Sequence, residues 1–326
     1  MKTFKPMLLW RKYDFPIDWS QEFKQDAELH LEVGFGDGRY TAFRAQQEPQ
    51  NNFVALEISG SSLYRALKRM KNAQLTNVKL LKVAANFAVQ NFFTEKSLSS
   101  IVVNFPDPWP KEKHEKNRLL QDSFFRLAAA RIKPGGEIRL ATDHKKYLDF
   151  ARAQSQLSGL FELEDKEVPA AVFETKYALK WKKEGKPLYY QVFKYNGKKS
   201  DFYPIIERSK EMPHSILEGE MPPKFKFDKQ VVKHGDGHVV LHEVAKSFDY
   251  NNETLERYLV RVSIDEPDLN QQLLVVIRRK SGNEFLVRLA SFGDPIITKT
   301  ARGAIHAVTE WMLTLPSDLK VKERNY

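Results

Sequence analysis

A formal net charge of +10 marks this chain of 326 residues, in which hydrophobic residues make up 42% and charged residues 29%. That composition is typical of folded proteins, and no apolar run approaches the roughly 20 residues of a membrane-spanning helix. The absence of cysteine excludes disulfides, thiolate catalysis and Cys-ligated zinc or iron–sulfur sites. Because the N-terminus also lacks the long apolar run of a signal peptide, we expect a cytoplasmic protein with no membrane partner.

From residue 27 onward, strand-like apolar runs alternate with helical stretches, which is the pattern of a mostly parallel α/β sheet. Helices are predicted over 62–73 and 117–132, and Lys133-Pro134-Gly135-Gly136 stops the second of them. The predicted strands cover 27–34, 51–59, 77–85, a run from 98 that ends in a proline-rich loop, and 137–143, with later strands near 161–167 and 188–195.

The pattern changes near Tyr195-Asn196-Gly197, so we predict one domain over 1–198 and a smaller antiparallel α+β domain over 199–326. Its hairpin-like runs are 229–247, 255–264 and 271–291, with tight turns at Asp236-Gly237 and Ser281-Gly282-Asn283. A helix over 298–314 is expected to close the chain.

A glycine-rich run, Glu32-Val33-Gly34-Phe35-Gly36-Asp37-Gly38, follows the first predicted strand directly. Glycines there let the backbone turn tightly and approach a ligand. Arg39 occupies the third glycine position of a dinucleotide motif, and Glu57 ends the second strand, where a carboxylate can bind ribose hydroxyls. This spacing favours S-adenosylmethionine over NAD, with a purely structural turn as the alternative. Asn86 fits either an adenine contact or a helix cap.

The most informative run is the proline-rich segment 104–118, NFPDPWPKEKHEKNR. Three prolines stiffen the chain at the end of the fourth strand, where α/β proteins bind ligands, and they enclose Asp107 and Trp109. A cluster of basic residues follows. Excess positive charge suits a nucleic acid, although charge alone fits a generally basic surface equally well.

This segment resembles the signature of the bacterial tRNA (guanine-N7)-methyltransferases, in which Phe-Pro-Asp-Pro-Trp precedes a basic cluster. The resemblance spans roughly residues 8–195 and includes the glycine loop, Glu57, Ala141-Thr142-Asp143 and Thr175-Lys176-Tyr177. It implies a Rossmann-like methyltransferase sheet with helices on both faces, S-adenosylmethionine as cofactor, tRNA as partner, and a guanosine of the variable loop as target.

The resemblance also implies roles for individual residues. Asp107 would be catalytic. Cofactor binding would fall to Glu32, Gly34, Gly36, Gly38, Glu57, Asn86 and Asp107. Substrate contacts would come from Lys111, Asp143, Thr175, Lys176, Tyr177 and Ala178, and RNA contacts from Lys113, His114, Lys116 and Arg118.

Three departures from the family pattern bear on these roles. Asn86 stands where the family usually has Asp, and Lys113 and Asn117 stand where it is often richer in Arg. Ala178 replaces the usual Glu and lacks its carboxylate, and Glu174 or Glu184 could substitute for that substrate contact.

The expected reaction needs alignment more than a strong base, because guanine N7 carries an exposed lone pair. Asp107 would stabilise the positive charge that methylation leaves on the ring, or hold guanine through N1–H and the 2-amino group, and Asp143 could share that work. Trp109 would stack on a base or pack the loop onto the domain. A second basic run, Lys176, Lys180, Lys182, Lys183 and Lys186, would bind RNA or form a solvated face.

Three rival functions fit the sequence less well. A methyltransferase for an exocyclic amine would carry Asn/Asp-Pro-Pro-aromatic at the loop, which Phe105 and Asp107 break, and a nonenzymatic RNA-binding protein would not need the intact cofactor motifs. An NAD-dependent oxidoreductase would have glycine at the position of Arg39, so the glycine spacing does not fit that class.

The sequence also bears on metal binding and on the role of the second domain. The histidines show no convincing ligand spacing, so we expect no metal. The second domain carries basic strand residues (Lys226, Lys229, Arg278, Arg279, Lys280), and it extends the RNA surface, stabilises the fold or mediates self-association. The oligomeric state, monomer or homodimer, is open.

Overall fold

The computed structural model describes residues 5–206, 211–247, 256–280 and 282–326, without the side chains of Lys182 and Lys183. Its contacts divide the chain into two compact units that meet between residues 205 and 206. This boundary lies a few residues beyond the predicted one at 198/199. The reason is local, because the carbonyls of Tyr203 and Pro204 accept hydrogen bonds from Arg131 (2.7 Å) and Gln90 (2.8 Å) of the first unit.

Seven strands form the sheet of the first unit: β1 (Leu29–Val33), β2 (Asn52–Glu57), β3 (Val78–Lys82), β4 (Leu98–Asn104), β5 (Ile132–Thr142), β6 (Phe161–Glu164) and β7 (Tyr189–Tyr195). Their order is β3-β2-β1-β4-β5-β7-β6. The first five run parallel, and β7 is antiparallel to both β5 and β6. This arrangement confirms the predicted Rossmann-like α/β sheet.

The helices of this unit are α1 (Trp19–Phe23), α2 (Arg39–Gln47), α3 (Gly60–Asn72), α4 (Ala85–Asn91), α5 (Asp122–Arg131), α6 (Lys145–Ser158), α7 (Ala170–Phe173) and α8 (Lys176–Glu184), with 3-10 helices at Trp10–Lys12 and Glu112–Asn117. The helix predicted over 117–132 begins only at Asp122. Arg118 has extended backbone (φ −66°, ψ 138°), which separates the 3-10 turn from α5.

The second unit is a seven-stranded antiparallel sheet covered on one face by a helix. Its elements are β8 (His214–Glu218), β9 (Gln230–His234), β10 (Gly237–Ser247), β11 (Arg257–Glu266), β12 (Leu269–Arg279), β13 (Glu284–Leu289), α9 (Lys299–Leu313) and β14 (Lys320–Asn325). The strand order is β14-β8-β13-β12-β11-β10-β9. Alternating burial on β11 to β13 places one side of each strand in a core with Trp311 of α9.

The antiparallel α+β character of this unit is confirmed, but the prediction that a helix closes the chain is wrong. β14 follows α9 and pairs with β8 at the sheet edge. The turn that joins β9 to β10 is Gly235-Asp236, one residue before the predicted Asp236-Gly237, because Gly237 already pairs with His234. Ser281 of the second predicted turn lies outside the described residues.

Candidate functional site

The glycine loop turns away from β1 with three left-handed residues. Gly34, Gly36 and Gly38 have φ values of +75°, +55° and +76°. Residues other than glycine rarely adopt this backbone conformation. A Cβ at Gly38 would lie 2.8 Å from the Cβ of Ala66 on α3, whereas one at Gly34 or Gly36 would meet no atom within 4 Å. The loop therefore packs on the protein at Gly38 and leaves open space beside Gly34 and Gly36.

Glu57, at the end of β2, is held against this loop by backbone donors. Its Oε2 accepts from the Gly36 amide at 3.0 Å, and its Oε1 accepts from the amides of Ile58 and Ser59, each at 2.9 Å. A carboxylate oxygen has two acceptor positions, so Oε2 keeps one for a ligand hydroxyl.

Asn86 lies half-buried in the first turn of α4. The helix cap is Ala84, and Asn86 comes two residues later. The alternative that Asn86 caps this helix is therefore wrong.

Glu32 lies beneath the loop, with its carboxylate directed into the domain. The residue is only 6% exposed and accepts hydrogen bonds from the Thr41 hydroxyl and from Asn104 Nδ2, the latter at 3.3 Å. Burial raises the pKa of Glu32 to about 7, although both hydrogen bonds act in the opposite direction. Its direct partners are thus protein groups.

Asn104, the last residue of β4, belongs to the site although sequence reasoning gave it no role. It is buried, and within the described part of the chain its Oδ1 has no hydrogen-bond partner. A polar residue that ends an apolar strand at the binding edge is the signal that could have identified it.

The loop after β4 holds two non-glycine residues in the left-handed region, Phe105 (φ +50°) and Trp109 (φ +42°). Such conformations cost on the order of 1–3 kcal/mol each and persist only where surrounding contacts impose them. One such contact is the hydrogen bond from the Phe105 amide to the Ala141 carbonyl, at 2.8 Å. Asp107 lies exposed between the two strained residues.

Asp143 lies at the end of the neighbouring strand. Asn104 of β4 pairs with Ala141 of β5, so the segments carrying Asp107 and Asp143 leave the sheet side by side. Asp143 is half-buried. Both predicted acidic residues therefore belong to the same edge of the sheet as the glycine loop.

The segment Thr175-Lys176-Tyr177 at the start of α8 contacts the proline-rich loop through Tyr177. The ring centre of Tyr177 is 5.9 Å from that of Phe105. Thr175 is buried and caps α8, accepting from the Ala178 amide at 3.1 Å and donating to the Val172 carbonyl at 2.8 Å. Ala178 is also buried, whereas Lys176 and Tyr177 are exposed. Side chains available to a substrate are therefore those of Lys176 and Tyr177.

The predicted RNA contacts divide into two groups. Lys113 and Lys116 are exposed, as is the predicted substrate contact Lys111, and His114 lies beside Trp109 with ring centres 5.8 Å apart. The structure does not bring Arg118 into this exposed set. Arg118 is 4% exposed, and its guanidinium is bound within the protein.

One basic residue of the second unit is also bound by protein groups. Arg279 forms ion pairs with Glu220 and Glu256. Lys226 pairs with Asp228 but its side chain stays 85% exposed, so of these two residues only Arg279 is withdrawn from an outside partner.

The described residues contain neither a membrane-spanning helix nor a metal-binding cluster. No helix there is long and apolar enough to cross a membrane, and no three His, Asp or Glu side chains in those ranges form a group that could hold a metal ion.

Comparison with known proteins decides the family. The family model described as "Putative methyltransferase" matches residues 26–191, half of the chain. The chain is 36% identical to the tRNA (guanine-N(7)-)-methyltransferase of Thermus thermophilus over 300 residues, covering 92% of this chain and 94% of the relative. The chain belongs to the tRNA (guanine-N7)-methyltransferase family.

Two other members of the family are similar to this chain over nearly the same share of its length. The Deinococcus radiodurans relative is 41% identical, covering 92% of this chain and 94% of its own length, and the Thermotoga maritima relative is 30% identical, covering 91% and 93%. These similarities extend well beyond residue 195 into the second unit, further than the sequence resemblance indicated. Among solved structures, the chain is similar to the 16S rRNA methyltransferase KamB at 17% identity and a TM-score of 0.43, over 55% of this chain and 92% of that chain.

The buried carboxyl of Glu32 makes stability depend on pH. Its pKa rises from 4.5 to about 7 on folding, so between these values the folded protein holds a proton that the unfolded chain has released. The stabilisation is full below about pH 4.5 and is lost as pH rises to about 7. One pKa unit corresponds to about 1.4 kcal/mol, so we expect the unfolding free energy of wild type, relative to Glu32→Gln, to fall by a few kcal/mol across this range.

Urea unfolding of both proteins at several pH values from 4.5 to 8 measures this difference. Burial lowers the pKa of nearby His30 to about 4, which gives stability the opposite dependence on pH, but that contribution is common to both proteins and cancels. A difference that stays constant with pH would show that Glu32 titrates at its ordinary value.

Proposed function

We propose that this protein transfers the methyl group of S-adenosylmethionine to N7 of a guanosine in tRNA, in the variable loop, forming 7-methylguanosine. The observation that carries the proposal is the constrained loop after β4, which presents Asp107 at the same sheet edge as the glycine loop and Glu57. Family membership supports the reaction class, and a cytoplasmic location follows from the tRNA substrate.

The residues at this edge fit S-adenosylmethionine, which when bound supplies an electrophilic methyl group on a sulfonium. Open space beside Gly34 and Gly36 admits a ligand close to the backbone. Glu57 keeps an acceptor for ribose, and Asn86 would bind the adenine edge. Glu32 contributes indirectly, because its carboxylate holds Asn104.

Asp107 would act on the guanine. Because N7 attacks through a lone pair that is already available, this chain's task is to align the base and to stabilise charge, and alignment is worth up to ~7–11 kcal/mol. The Asp107 carboxylate would stabilise the positive charge that develops on the ring, or accept from N1–H and the 2-amino group, with Asp143 beside it.

The tRNA would meet the basic side chains around the loop. Lys111, Lys113, His114 and Lys116 lie next to it in sequence, and Lys176 stands beside Tyr177 on α8. Lysines supply phosphate contacts, and the exposed rings of Tyr177 and Trp109 offer stacking surfaces for unpaired bases, worth ~1–3 kcal/mol per base.

The reaction is tested by incubating the purified protein with unmodified tRNA transcripts and radiolabelled S-adenosylmethionine, followed by chromatography of the nucleosides. We expect label in 7-methylguanosine. Label in another nucleoside would overturn the assignment of N7, and cofactor and tRNA binding without label would favour a nonenzymatic RNA-binding protein.

The role of Asp107 is tested by Asp107→Ala. Loss of one group that stabilises charge in a transition state typically lowers turnover by roughly 100- to 1,000-fold, and we expect a loss of that order at saturating tRNA and cofactor. Glu112→Ala, which removes an exposed carboxylate from the same segment, is the matched control and should keep its turnover. Equal rates for Asp107→Ala and wild type would remove Asp107 from the chemistry.

A further inference from the structure

Arg118 is the buried cation of an otherwise exposed basic segment. It is 4% exposed, whereas Lys113 and Lys116 before it are exposed to solvent. Desolvating a guanidinium is costly unless its donors are satisfied. Its burial therefore calls for partners inside the protein.

Those partners are the backbone carbonyls of the proline-rich loop. Arg118 Nε donates to the Pro108 carbonyl at 3.0 Å, and Nη2 donates to the Trp109 carbonyl at 3.2 Å. The two carbonyls belong to the residues directly after Asp107, and Trp109 is one of the two left-handed residues of the loop. A planar guanidinium can reach both oxygens with a fixed fork of donors, which an ammonium group does not reproduce.

The guanidinium is itself fixed from two other sides. Nη1 forms an ion pair with Glu115 Oε1 at 2.6 Å. The ring of Phe150 on α6 lies 4.6 Å from the guanidinium carbon, and that of Tyr147 lies 6.0 Å away. Because α6 is part of the packed domain, these contacts connect the loop to the domain through a single side chain.

We propose that Arg118 is a positioning residue for methyl transfer, which holds the backbone after Asp107 in its strained conformation, and that it is not a phosphate ligand. This inference rests on the proposed function. A phosphate ligand must present its donors to solvent, whereas three nitrogens of Arg118 already donate within the protein. The guanidinium thus acts on the reaction through the position of the Asp107 carboxylate.

The decisive variant is Arg118→Lys, which keeps the charge and loses the fork. We expect kcat for 7-methylguanosine formation at saturating tRNA and cofactor to fall by about 10- to 100-fold, the range that a displacement of about 1 Å can produce. The Kd for tRNA should change less than about 2-fold, and the slope of log Kd against log salt should be unchanged. Lys116→Met is the matched control, for which Kd should rise and the slope should drop by about 0.7–0.9, the value of one phosphate contact.

A second variant covers the case in which Arg118→Lys does not fold. Phe150→Leu removes the ring beside the guanidinium and leaves every hydrogen bond of Arg118 in place. We expect a several-fold lower kcat with the same salt dependence of tRNA binding. An unchanged kcat in Phe150→Leu would argue against the positioning role.

Hydrogen–deuterium exchange of a peptide covering 103–111 gives a readout that does not depend on activity. Releasing the two carbonyls should speed exchange of this peptide in Arg118→Lys relative to wild type. The inference is overturned if exchange is unchanged, or if Arg118→Lys keeps its kcat, whether or not its Kd for tRNA rises. A wild-type protein that forms no 7-methylguanosine would refute the proposed function instead, while the exchange comparison would still report on the Arg118 contacts.

Discussion

The pairing of β1 with β2 on one side and with β4 on the other is the constraint on which the site depends. The chain passes outward through β2 and β3 before it returns to β4, so the segments that follow β1 and β4 leave the sheet in opposite directions. The crevice between them lies at the carboxyl edge of the parallel strands. Glycines after β1, Glu57 after β2, and the segments after β4 and β5 all reach that edge because the strands run parallel.

Rigidity at this edge is concentrated in the loop after β4. Prolines limit its backbone, yet two non-glycine residues still adopt left-handed conformations, at a cost that other contacts must offset. Those contacts come from the Ala141 carbonyl at one end and the Arg118 guanidinium at the other. Under the proposed function, a reaction that requires precise alignment of a base with a methyl donor would benefit from such a loop, because misplacement of Asp107 would lower the rate.

Local patterns were sufficient to predict most of the fold and which segments reach the carboxyl edge of the parallel strands. Strand and helix periodicity indicates the parallel sheet, and glycine spacing with Glu57 indicates the cofactor edge. Local patterns do not predict contacts between residues that are distant in the chain. Arg118 reads as one more member of a basic cluster, because its contacts with Tyr147 and Phe150 lie far along the chain. Glu32 likewise reads as a ligand group until Thr41 and Asn104 surround it.

In the second unit, too, local patterns predict the central strands but not the contacts between distant residues. Its central strands alternate apolar and polar residues and were predicted, whereas β14, Lys-Val-Lys-Glu-Arg-Asn, carries the charges of an edge strand and has no such signal. Ion pairs such as those of Arg279 also depend on strand register, which a linear sequence does not state.

The most direct test of the central claim, methyl transfer to guanine N7, changes that atom in the substrate. A tRNA transcript made with 7-deazaguanosine keeps its pairing edge but carries C–H in place of N7. We predict that the protein methylates the ordinary transcript and transfers no label to the substituted one, which should still compete for binding. Label on the substituted transcript would contradict the account, because the acceptor would then be another atom.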